Sequence, residues 1–134
     1  MLVCCVLLCL TGCGSNKEAQ RSVLRVGVVL YTQNDPFINA LTDCLKEDLE
    51  DYETDSLKII MTVRDGKNDQ KLQDEVVEEI LDAGCDILVV DLVDRTEPSN
   101  IIKMAKNENI PVIFFNREPV REDLMQWDKL YYIG

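Results

Sequence analysis

The sequence predicts an α/β fold, a doubly wound Rossmann-like parallel sheet, and three observations predict it. Short β-branched apolar runs recur along the chain, each is nearly continuous rather than alternating, and amphipathic segments separate them. Continuous apolar character means burial on both faces, as in parallel strands covered by helices. The runs recur about 30 residues apart, the length of a βαβ unit. With 134 residues the chain suits one domain, or part of one.

The first element is a leader. Leu2 to Leu10 is apolar apart from its cysteines, and the first charged residue is Lys17. A stretch this short falls below the roughly 20 residues that span a bilayer, and fits a signal-peptide core of about 7–15 residues. Leu10-Thr11-Gly12-Cys13 is similar to a bacterial lipobox, so residues 1–12 are expected to be a lipoprotein signal peptide and Cys13 the acylated residue. Residues 13–22 form a polar tether, and residues 23–134 the folded lobe.

Within the lobe, strands are expected at Val23 to Tyr31, Leu57 to Val63, Ile87 to Val90 and Val112 to Phe115, with a fifth beginning near Tyr131. Phe37, Leu41, Cys44, Leu45 and Leu49 recur at helical spacing, as do Leu72, Val76, Ile80 and Leu81. Asn68 and Asp69 are candidate N-caps of the second helix and Gly84 its stop. A third, weaker helix runs from about Pro98 to Glu108, and Pro111 is tolerable at the first residue of the next strand. Of six cysteines, four lie in or at the leader, and the isolated Cys44 and Cys85 read as small core side chains.

Composition narrows the function. Lys plus Arg number 14 against 25 Asp plus Glu, a formal charge of −11, which leaves no basic surface for a phosphate backbone and makes nucleic acid an unexpected partner. The absence of histidine removes imidazole bases, Ser-His and Cys-His nucleophile pairs and His-ligated zinc or haem, so a conventional hydrolase is not expected.

Ligands of such sheets bind at the carboxyl ends of the strands. The loops there carry Gln33, Asn34, Asp35 and Phe37, then Arg64, Asp65 and Gly66, then Asp91, Asp94 and Arg95, then Asn116, Arg117 and Glu118. Neither Gly-rich phosphate loop occurs, and the carboxylates would repel a phosphate. Asp35 and Asn116 beside the ring of Phe37 offer what a neutral sugar needs: planar groups for its hydroxyls and a flat apolar surface for its C–H face. The competing reading makes Asp35 an N-cap ahead of Pro36, and Phe37 the start of a core stripe.

Tyr31 to Phe37, Asn68-Asp69-Gln70, Leu92-Val93-Asp94, the Ile110 to Pro119 segment and Tyr131 to Gly134 resemble the galactose/glucose-binding proteins of bacterial sugar importers, in the type I periplasmic binding protein superfamily. The resemblance implies two Rossmann-like lobes joined by a hinge, of which this chain is an incomplete N-terminal one. It also implies a monomer outside the cytoplasm, in the periplasm or at the cell surface, that closes on galactose or glucose. Its partners would be an ABC permease and, in some bacteria, a chemoreceptor, and its contact with the membrane the lipid anchor alone. Asp35 would accept from sugar hydroxyls, Phe37 would stack on the ring, and Asn116 would contact a neighbouring hydroxyl. Pro36 and Asp91 depart from the family pattern, which more often has a polar residue and an amide there. No metal or other cofactor is expected in this chain, since the family's calcium site lies in the second lobe. A response-regulator receiver lacks its acidic pair at Tyr31-Thr32-Gln33, and the effector domain of a LacI-type repressor would follow a basic helix-turn-helix rather than a lipobox.

Overall fold

The computed structural model describes residues 21–134. The expected signal peptide, Cys13 and most of the tether lie outside the described residues. Strands β1 (Ser22–Leu30), β2 (Leu57–Asp65), β3 (Ile87–Val90), β4 (Val112–Phe115) and β5 (Leu130–Ile133) form one five-stranded sheet in the order β2-β1-β3-β4-β5. Every pairing is parallel. Helices α1 (Pro36–Asp51), α2 (Gln70–Asp82), α3 (Ser99–Asn107) and α4 (Arg121–Leu124) lie between successive strands. This is the α/β architecture the apolar runs predict.

The central strands match their sequence pattern. β3 is buried over three of its four residues, and β1 from Val26 onward. β2 departs from it: none of its residues is buried, and exposed residues recur among half-buried ones, because β2 is an edge strand paired with β1 alone in this sheet. Two cores result. α2 and α3 pack on one face around Val77, Leu88, Ile101, Val112 and Phe114. α1 packs on the other, around Val28, Leu30 and Ile38. Gly27 allows the first of these, since a Cβ there would lie 2.3 Å from Cγ2 of Ile80 on α2.

Cap chemistry sets the helix ends. Asp69 caps α2 by accepting from the Leu72 N–H at 3.1 Å. Its neighbour Asn68 instead takes a left-handed turn at φ 57°. Gly84, at φ 83°, ends the helix as expected, because left-handed backbone suits a residue without Cβ. α4 is a single turn with no usable periodicity, and the sequence did not reveal it.

Cys44 corrects an expectation. Cys85 is buried, but Cys44 is exposed, and both are free thiols. At about 100° per residue, Ile38, Leu45 and Leu49 point the same way, whereas Cys44 lies about 120° round the helix from Ile38. Ile38, absent from the expected stripe, is the residue that α1 buries fully.

Candidate functional site

The strand order brings the loops after β1, β3 and β4 side by side at the carboxyl edge. β1 and β3 are neighbours whose following helices lie on opposite faces, so a crevice opens between them.

Asp35 leads α1 as its N-cap. Its Oδ1 accepts from the N–H groups of Phe37 at 2.8 Å and Ile38 at 3.4 Å, and its Oδ2 accepts from the Tyr31 hydroxyl at 2.5 Å. The capping reading is therefore correct for this residue, and its carboxylate stands half-buried at the edge as well. The Tyr31 hydroxyl, followed by the helix N–H groups, holds the Asp35 carboxyl below the usual range, and the same bond pushes the Tyr31 phenol up. Phe37 is 61% exposed, which excludes the core reading of this ring.

Asn116 follows β4 with φ 59°, a left-handed backbone that asparagine tolerates better than most residues. The next N–H, of Arg117, donates to the Phe115 carbonyl at 2.6 Å, which turns the chain sharply at the sheet edge. The Asn116 side-chain amide donates to both oxygens of Asp91, at 3.0 and 3.3 Å. Asn116 and Phe37 line one groove of about 510 Å³. Leu41, Leu45, Val89, Ile113, Phe115 and Ile133 continue it along the α1 face of the sheet.

Sequence reasoning placed Asp91, Arg117 and Tyr31 near this edge but missed how they interlock. Asp91 has no exposed surface. Burial pushes its carboxyl from the usual 3.8 up to about 6, against the opposing pull of the Asn116 amide and the Arg117 guanidinium. The folded chain thus holds this proton more tightly than the unfolded one. Asp91's contribution to stability is present at acid pH and is lost as pH rises from about 4 through about 6. The Arg117 guanidinium lies 3.6 Å from the centroid of the Tyr31 ring and donates to the Leu92 and Val93 carbonyls at 3.2 and 2.9 Å. One side chain therefore braces the loops after β1, β3 and β4 together.

From α2, the fully buried Gln73 donates to the Asp91 carbonyl at 2.8 Å and accepts from the Val93 N–H at 2.9 Å. Gln70 accepts from the Asp94 N–H at 3.0 Å. Nothing in a helical pattern marks these glutamines as loop anchors, since their partners lie about one βα unit downstream. Phe37, Asp35 and Asn116 thus share one edge, with a planar amide, a carboxylate and an open aromatic face. The arrangement supplies hydrogen bonds and an apolar platform, and no nucleophile paired with a base. No group of three or more metal-ligating side chains occurs among the described residues.

Comparison with known proteins places the chain in a family. Residues 26–134 match the family described as periplasmic binding protein domain. A D-galactose/methyl-galactoside binding periplasmic protein, MglB, of Haemophilus influenzae is 33% identical over 110 residues, which is 82% of this chain and 32% of that protein. The ribose import binding protein RbsB of Escherichia coli is 28% identical over 100 residues, 75% of this chain and 32% of that protein. An ABC transporter solute binding protein from Burkholderia multivorans shares the fold, with a TM-score of 0.70 at 17% identity over 84% of this chain and 40% of that one. The chain spans about a third of the length of these curated relatives, both of which are named as binding proteins rather than enzymes. With the family match running from β1 to the last residue, the chain belongs to the periplasmic binding protein domain family.

Proposed function

We propose that this chain is the N-terminal lobe of an extracytoplasmic solute-binding protein that captures a neutral hexose, galactose or glucose, for an ABC permease. The observation that carries the reading is the open ring of Phe37 beside Asn116 in one groove, with the Asp35 carboxylate at the same edge. Phe37 stacks on one face of the sugar, while Asp35 and Asn116 take hydroxyls that would otherwise bond to water. A second lobe closes over the ligand by a hinge motion, and closure is favoured because only the closed state contacts both faces of the sugar. The calcium implied for that second lobe falls outside the described residues.

In the full-length protein, Asn116→Ala is expected to weaken galactose binding about ten- to a hundredfold, the loss of a desolvated polar contact worth roughly 1–3 kcal/mol. Titration calorimetry checks it, and unchanged affinity removes Asn116 from the site. Asp35→Ala is expected to weaken binding similarly while also removing the α1 cap, so thermal unfolding is measured beside it.

The membrane attachment rests on Leu10-Thr11-Gly12-Cys13. Cys13 is the expected mature N-terminus carrying lipid, with the acidic lobe kept off anionic headgroups by its charge. Mass spectrometry of the membrane fraction decides this; an unmodified Cys13 with the preceding residues still attached refutes it.

A further inference from the structure

Asp91 is the most deeply buried carboxylate among the described residues, and the side chain bonded to it is that of the exposed Asn116. An ionised carboxylate only accepts hydrogen bonds, so it obliges Asn116 to turn its NH2 inward. Among the described residues nothing donates to the Asn116 Oδ1, and Asn116 lines the groove. A neutral Asp91 carries an O–H that must find an acceptor in a buried place, and leaving it unmade is expensive. The acceptor at hand is the Asn116 Oδ1, reached by a half-turn of the amide, which sends the NH2 outward.

We propose that Asp91 is a positioning residue that sets the hydrogen-bond polarity of Asn116. The amide offers the ligand an acceptor when Asp91 is ionised and a donor when Asp91 is neutral. The proposal rests on the reading of Asn116 as a ligand contact. Other groups bear on Asp91 from each side. Arg117, from the loop after β4, favours the carboxylate, and Asp35, from the loop after β1, opposes it. The Tyr31 phenol senses the Asp91 charge, and α2 presents only the neutral Gln73, bonded to the main chain. Because burial places the Asp91 titration near pH 6, both states are populated in mildly acidic surroundings. A sugar hydroxyl can meet either state, since it both donates and accepts, but the two networks differ in strength and ligand binding is linked to a proton.

The test uses the full-length protein with D-galactose and reads two quantities. By NMR, the side-chain NH2 signals of Asn116 in the ligand-free protein should shift with a midpoint near pH 6. By calorimetry, galactose affinity should change about fivefold or more between about pH 5 and pH 7.5, with proton exchange on binding. Asp91→Asn should abolish both dependences. Amide signals that stay flat with pH in the wild-type protein overturn the proposal, and need no variant to fold. A pH slope that persists in a folded Asp91→Asn protein overturns it too. If the wild-type protein binds no monosaccharide, the function reading fails, while the amide titration still decides the switch.

Discussion

Gln73→Leu is expected to lower stability by about 2–6 kcal/mol, although leucine fills a similar volume and is more apolar. Gln73 has no exposed surface, and its amide satisfies the Asp91 carbonyl and the Val93 N–H. Leucine leaves both main-chain groups buried without partners, at roughly 1–3 kcal/mol each. Denaturant unfolding measures the loss, and a change below about 1 kcal/mol would mean that water or another side chain reaches those groups. The same substitution should weaken ligand binding. Gln73 holds the strand end that carries Asp91 and the loop whose carbonyls anchor Arg117. Gln73→Glu separates the two bonds, since it keeps the acceptor and loses the donor.

Phe114→Ala is expected to cost about 3–5 kcal/mol, a large part of the roughly 5–15 kcal/mol that stabilises a domain. Phe114 is among the largest fully buried side chains and sits in the core beneath α2 and α3 with Leu88, Ile101 and Val112. The cavity it leaves cannot collapse easily, because the sheet holds its walls in register. Phe115→Ala is expected to be much milder. Side chains alternate across a strand, so Phe115 points to the opposite face, where it is half-buried at the groove. Thermal unfolding of both variants measures the contrast, and equal losses would refute the assignment of the two faces.

Much of the fold was legible. β3 and β4 occupy the apolar runs to the residue, and α3 lies within the expected limits, because buried parallel strands need unbroken apolar stretches and their crossover helices need a stripe. The edge strands were located but misread in burial. Apolar composition does not say whether a strand has a neighbour on each side, and β2 has only β1. Cys44 was misplaced for a related reason: a stripe drawn through five apolar positions is wider than the strip of α1 that meets the sheet, so the outermost of them face solvent.

The candidate site was legible in part. Asp35 before Pro36 marks a cap, and the ends of the strands mark the edge where ligands bind, so Asp35, Phe37 and Asn116 were within reach of local pattern. The sequence by itself determined a parallel α/β chain, the limits of β3 and β4, and the acidic residues that follow its strands at the carboxyl edge. Tertiary structure alone decided that Phe37 is open, that Asp91 is buried against Asn116, and that Arg117 lies on Tyr31. The two contacts join loops separated by a whole βα unit or more, and they meet because β3 lies between β1 and β4. A run of residues specifies its own strand through local burial and propensity. Which strands become neighbours, and so which loops face one another, follows from the packing of helices on both faces of the sheet.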